Sequence, residues 1–122
     1  MIYKETKLKT IDNSGANWVK CIDVLNKSKS KGAKPGDIVV ISIQTRQAQK
    51  ILKKGQLHKG VFLRSAFNQQ RLTGTSIKFE DNGLLLINNK GVPLGSRIYG
   101  PISQEIRWSI HAKIISMAKL II

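Results

Sequence analysis

Few side chains in this sequence have types and spacings that could do chemistry. Glu80 and Asp81 come nearest to a carboxylate pair. On an extended strand, adjacent side chains point to opposite faces, so the two cannot flank one scissile bond. His58 and His111 have no Cys or acid at ligand spacing, which removes a zinc site built on either. Cys21 is the only cysteine. It reads as a small buried core residue, and neither an intrachain disulfide nor a multi-cysteine metal site can form. The loop Gly91-Val92-Pro93-Leu94-Gly95 lacks the Gly-Lys-Ser/Thr ending and the following helix of a phosphate-binding P-loop. The sequence predicts no catalytic residue, no metal and no cofactor.

The chemistry that remains is that of cations. The chain has 122 residues, with Lys plus Arg 21 against Asp plus Glu 7, a formal charge of +14 and a sequence pI near 10.3. A domain this basic suits a polyanion, and nucleic acid is the default partner. An anionic membrane surface would want a long amphipathic basic helix, and none can be read. No stretch reaches transmembrane length, so no membrane partner is expected. The bases are unevenly spread. From Ile38 to Phe79 there is no Asp or Glu, while Arg46, Lys50, Lys53, Lys54, Lys59, Arg64, Arg71 and Lys78 fall inside. Asn26 to Lys34 adds Lys27, Lys29, Lys31 and Lys34 between small residues. Both stretches are expected to lie along phosphates.

Positioning these cations takes a sheet. At this length one core suffices without staples, and residues 1–122 are expected to form a single domain. Thr6 to Ile11 can pair as a strand, ended by the turn signal Asp12-Asn13-Ser14-Gly15. Trp18 to Leu25 reads as the next, with Val19, Cys21 and Leu25 on one face and Trp18, Ile22 and Val24 on the other. Ile38 to Ile43 is the clearest core strand, and one of Val39 and Ile41 should be fully buried. Gln44 to Gly60 reads as two arms around the turn Lys53-Lys54-Gly55. Its few apolar residues suit a projecting ribbon better than a core. Val61 to Leu63 returns to the core, and Ala66 to Gly74 is a polar loop.

Ile77 to Pro101 organises the rest. Ile77 and Phe79 would share a strand face. Leu84 to Ile87 is short and wholly apolar, as in a strand buried on both sides, and Asn88-Asn89-Lys90-Gly91 turns the chain. Gly91 to Pro101 is a constrained loop suited to presenting backbone and Arg97 to something else. Beyond it, Ser103 is a candidate N-cap for a short helix through Arg107, and Lys113 to Leu120 reads as a second. The fold class is then mainly β: a small five-stranded β-barrel with a projecting β-ribbon and short C-terminal helices.

Seven pieces follow one another in a familiar order: Asp12 to Ala16, Gly36 to Val40, Lys53-Lys54-Gly55, Ile77 to Asn82, Asn89 to Pro93, Gly95 to Pro101 and Lys113 to Ser116. Over almost the whole chain this resembles the universal large-subunit ribosomal protein fourteen family, of bacterial and organellar type. The resemblance implies a five-stranded barrel bound to large-subunit rRNA at the face that meets the small subunit. There it would help form an intersubunit bridge to small-subunit rRNA and touch neighbouring ribosomal proteins. It also implies that a ribosome-silencing factor docks on that face, through Ser96, Arg97 and Lys113. Asn13 and Ser14 of the first motif join the expected RNA-binding set. Three stretches depart from the family pattern: Lys27 to Lys34, Trp108 to His111, and Ala118 to Ile122, which lacks the usual Pro-Glu pair. The C-terminal surface is therefore expected to meet a lineage-specific partner.

Met1-Ile2 leads straight into a strand, and no signal or transit peptide is expected. Lysine outnumbers arginine about three to one and isoleucine is abundant, as in an A·T-rich genome. These features tip the expected location toward a mitochondrion that encodes its own ribosomal proteins, ahead of a bacterial cytoplasm. The alternative from another class is a free-standing single-stranded nucleic-acid-binding barrel. Such barrels stack bases on aromatics interleaved with a basic groove. Gln44 to Lys59 holds no aromatic, which favours contacts to the RNA backbone.

Overall fold

The computed structural model describes residues 2, 3, 5–25, 32–46, 55–108 and 112–122. Five strands close a barrel in the order β1-β2-β3-β4-β7: β1 Lys7–Thr10, β2 Ala16–Val24, β3 Ile38–Arg46, β4 Leu57–Arg64 and β7 Gly83–Ile87. Neighbouring strands are antiparallel except at the closing seam, where β1 runs parallel to β7 through Lys9↔Gly83 and Thr10↔Leu84. Outside the barrel, β5 Gln69–Gln70 and β6 Ser76–Ile77 form a small hairpin. A 3-10 helix over Gln104–Trp108 and α1 over Ala112–Met117 follow. The mainly β, five-stranded barrel is the fold that the sequence predicts.

Strand alternation here builds two apolar layers. Leu8, Val19, Cys21, Val39, Ile41, Ile43, Phe62, Leu84 and Leu86 fill the barrel. On β4 and β7 the outward face is apolar too. Val61, Leu63, Leu85 and Ile87 meet Ile11, Ile98, Ile102, Ile106 and Ile114 in a second layer beneath the loop and tail. That is why every residue of β7 is buried. A strand covered on both faces reads as a continuous apolar run. Val39 and Ile41 are two apart, share the inward face and are both fully buried, where only one was expected to be.

Several local readings are corrected. The pairing of β2 with β3 shifts register between Ala16 and Trp18 and again between Trp18 and Val19, and a further shift follows between Cys21 and Asp23. The shift at Cys21 and Asp23 changes strand parity, so Val24 is buried with Val19 and Cys21, and Leu25 is half-buried in a turn beyond the strand. A period-two reading cannot see a bulge. Gln44 to Arg46 continues β3 and pairs with β2, and Leu57 to Gly60 is barrel wall in β4. Lys59 reflects an outward face, and His58 is half-buried opposite the inward Ile41, so this stretch does not depart from the barrel. What remains of the expected ribbon, residues 47–54, lies outside the described residues. Ile77 belongs to β6 but Phe79 does not, and Glu80 and Asp81 sit in a bend. Ser103 is no side-chain cap: its buried Oγ has no partner among the described residues, while its N–H donates to Leu63 O at 3.1 Å. α1 stops at Met117 because the chain then turns to pair. Ile102 N donates to Leu120 O and Ile122 N to Ile102 O, each at 3.0 Å.

Candidate nucleic-acid interface

The turn Asp12-Asn13-Ser14-Gly15 is a joint between distant parts of the chain. Asp12 is buried, and its Oδ1 accepts from Ser14 Oγ at 2.7 Å while Oδ2 accepts from Leu86 N at 3.2 Å. Burial raises its pKa above the usual carboxylate value, and the Ser14 and Leu86 hydrogen bonds pull it back. Asn13 reaches the glycine loop. Its Oδ1 accepts from Ser96 N at 2.7 Å and Arg97 N at 3.1 Å, and its Nδ2 donates to Ser96 Oγ at 3.0 Å. Gly95 has to be glycine for this approach, since a Cβ there would stand 2.6 Å from Asn13 Oδ1. Ile98 bridges to Asp12, and Tyr99 N donates to Ile11 O at 2.7 Å. Asn13 and Ser14 are thus engaged inside the chain, Ser14 with Asp12 and Asn13 with the exposed Ser96 and Arg97.

A second tie holds the far end of the loop. Arg64 donates from Nε to Asp81 Oδ1 at 2.7 Å and from Nη2 to Asp81 Oδ2 at 3.1 Å. Its Nη1 donates to Tyr99 O at 3.2 Å and Pro101 O at 3.1 Å. Gly100, at φ +84°, lies against this guanidinium, where a Cβ would collide with Nη1. Arg71 donates from Nε to Glu105 Oε1 at 2.8 Å and from Nη2 to Ile122 O, fastening the tail. The sequence places Arg64 and Arg71 among the phosphate-contacting bases. The structure engages both within the chain, Arg64 with an acid two residues past the acid-free segment and Arg71 with one far down the tail.

Other cations face outward. Lys78 is exposed, and Lys59 is half-buried on β4. Arg97 and Lys113 are exposed. Ile98 and Ile114 enter the same outer apolar layer, so Arg97 and Lys113 stand beside residues of one cluster. Lys27, Lys29, Lys31, Lys50, Lys53 and Lys54 lie outside the described residues, and Arg46 is described only as part of β3. His58 faces Ile41 across β3 and β4, and its Nε2 is buried without a partner among the described residues. Burial pushes its pKa below the usual histidine value. Sequence reasoning passed over Lys7, Lys9 and Trp18, all exposed. The alternation Lys7-Leu8-Lys9 is the signal that could have found the first two. Among the described residues no group of three or more His, Cys, Asp or Glu could hold a metal ion.

A barrel with outward lysines and a loop fixed from both ends agrees with the comparison of the whole sequence. The model of the ribosomal protein L14p/L23e family matches residues 1–122, and the chain belongs to this family of structural proteins of the large ribosomal subunit.

Proposed function

We propose that the chain binds large-subunit rRNA through its outward lysines and presents Ser96, Arg97 and Lys113 at the face meeting the small subunit. The observation that carries this reading is the excess of cations on the described surface. Asp12, Asp81 and Glu105 are engaged inside the chain, which leaves Glu5, Asp23 and Glu80 exposed against Lys7, Lys9, Lys34, Lys78, Lys90, Arg97, Lys113 and Lys119. Such a surface attracts phosphates and releases their counterions. Lys59 and Lys78, with Arg46 and the six lysines of residues 27–54 named above, form the rRNA-contacting set. Asn13, Ser14, Arg64 and Arg71 hold the scaffold behind it.

The fixed loop bearing Ser96 and Arg97, with Lys113, meets a partner there: small-subunit rRNA at a bridge, a neighbouring ribosomal protein or a silencing factor. The coding bias toward lysine and isoleucine supports a mitochondrial ribosome over a bacterial one. The test is filter binding of the full chain to large-subunit rRNA across a salt series. The double change Lys53→Glu, Lys54→Glu should lower the salt slope by about two counterions, roughly 0.9 for each lost contact. An unchanged slope would remove that segment from the interface. Failure of the chain to stay with large subunits through a high-salt wash would favour the free-standing barrel.

A further inference from the structure

The outer surface of the barrel is divided. On β4 and β7 it packs beneath the loop and tail. On β1 and β2 it is open: Lys7, Lys9, Trp18 and Ile22 are exposed, and Lys20 is half-buried. Lys7 and Lys9 alternate with the buried Leu8 and Thr10, and Trp18 and Lys20 with the buried Val19 and Cys21. Register sets Lys9 opposite Trp18 and Lys7 opposite Lys20. On the other flank Trp18 N donates to Thr45 Oγ1 at 3.0 Å.

The fold does not account for this face. Two lysines directly opposite destabilise a sheet. An indole left 48% exposed keeps apolar area in water. Both features serve a partner that is anionic and has flat apolar faces. The acids on this side, Glu5 and Asp23, flank the cluster at the strand ends and leave its charge positive.

Resting on the reading above, we propose that this face is an RNA site in which Trp18 stacks on an unpaired rRNA base while Lys7, Lys9 and Lys20 hold the flanking phosphates. The basic segment Gln44 to Lys59 has no aromatic of its own. The fold supplies one, because Thr45 and Arg46, where that segment leaves β3, pair with Trp18 and Ala16. Aromatic and cations interleave across two strands, Lys7 and Lys9 on β1 with Trp18 and Lys20 on β2, the arrangement that holds single strands. The charge of the face favours RNA over a protein occupant.

The test uses the full chain carrying Trp108→Phe, so that Trp18 is its one indole. It is titrated with purified large-subunit rRNA, with a short single-stranded uridine oligomer, and with an abasic ribose-phosphate oligomer of the same length. Stacking predicts quenching of Trp18 emission by the first two and not by the third. Trp18→Ala should weaken rRNA binding about 5- to 30-fold, and Trp18→Phe should restore most of it. Lys7→Gln and Lys9→Gln should each lower the salt slope by about 0.7 and leave the quenching in place. Equal binding by Trp18→Ala, with unquenched emission in the parent, overturns the site alone. A shift of Trp18 emission by RNA-free large-subunit proteins, with none by rRNA, assigns the face to a protein and overturns it too. Failure of the parent chain to bind rRNA at low salt overturns the rRNA reading itself.

Discussion

Replacing Arg64 by Ala separates a structural role from an RNA role at one position. In the ion pair, the Arg64 side chain is 11% exposed and that of Asp81 36%. Breaking a buried pair from one side costs about 3–5 kcal/mol, and the solvent reaching Asp81 reduces that. Tyr99 O and Pro101 O also lose their donor, at roughly 0.5–1.5 kcal/mol each. Arg64→Ala should therefore destabilise the fold by about 3 kcal/mol, on the order of 10 °C in melting temperature at this chain length. Asp81→Ala keeps both carbonyl bonds but leaves the guanidinium, the more buried partner, without its acid, and should cost about 2–3 kcal/mol. The double variant should show a coupling of about 1–2 kcal/mol, read from urea unfolding of all four proteins. Hydrogen exchange at Tyr99 N, bonded to Ile11 O, should quicken as the loop is released. Affinity for rRNA, measured well below the melting transition, should stay within about threefold. A melting temperature unchanged to about 2 °C, with a fall in rRNA affinity and salt slope, would put Arg64 on the RNA face and refute the tie.

Ile41→Ala should cost about 2–4 kcal/mol and Val39→Ala somewhat less, by chemical denaturation, because both fill the barrel. Losses under about 0.5 kcal/mol at both would contradict the closed barrel. Burial places the His58 pKa in the folded chain below the 6.5 of the free side chain. As pH falls through 6.5 the unfolded chain takes up the proton first, so stability is full above that pH and declines below it, until the folded pKa is reached. His58→Leu should flatten that limb of the stability curve, and an unaltered limb would exclude the imidazole as its cause. Arg97→Ala and Lys113→Ala, both at exposed positions, should leave the melting temperature and incorporation into large subunits nearly intact. Each should weaken subunit joining or docking of a silencing factor, and the double change should weaken it more. Unfolding or failed incorporation by Arg97→Ala would end the partner assignment.

The barrel was legible because inward positions carry apolar side chains at strand period, and β7 because both its faces are covered. The bulges in β2 were not, since one extra residue leaves no mark in composition yet moves Val24 to the core. The course of Gln44 to Arg46 was misread for a related reason: a strand with one outward face in water looks too polar for a core. Site residues divided in the same way. Arg97 and Lys113 were found as exposed cations because a constrained loop and a helix start mark themselves in sequence. Arg64, Arg71 and Asn13 were read as RNA contacts because a base or amide shows its donors in sequence, but not the acceptors that take them. Those acceptors are remote. Asp81 lies 17 positions from Arg64, Glu105 34 from Arg71, and the Ser96 hydroxyl 83 from Asn13. Trp18 escaped as a candidate because two of its basic neighbours, Lys7 and Lys9, stand on another strand.

The remote acceptors also explain where so basic a chain keeps its few acids. Lys and Arg outnumber Asp and Glu three to one, so most bases have no acid to pair with, and each acid is scarce enough for its place to matter. Acids are therefore the specific side of each tie, and four of them sit where a loop must be held. Asp12 fixes the β1–β2 turn to β7 through Leu86 N. Asp37 accepts from Lys34 N at 2.7 Å in the turn before β3. Asp81 pairs with the arginine that holds Tyr99 and Pro101, and Glu105 pairs with the arginine that holds the last residue of the chain. Exposed lysines, by contrast, act through summed charge, and one can be exchanged for another nearby with little loss to a phosphate contact. The acids fix the fold position by position, while the lysines set a field whose strength matters more than any single site.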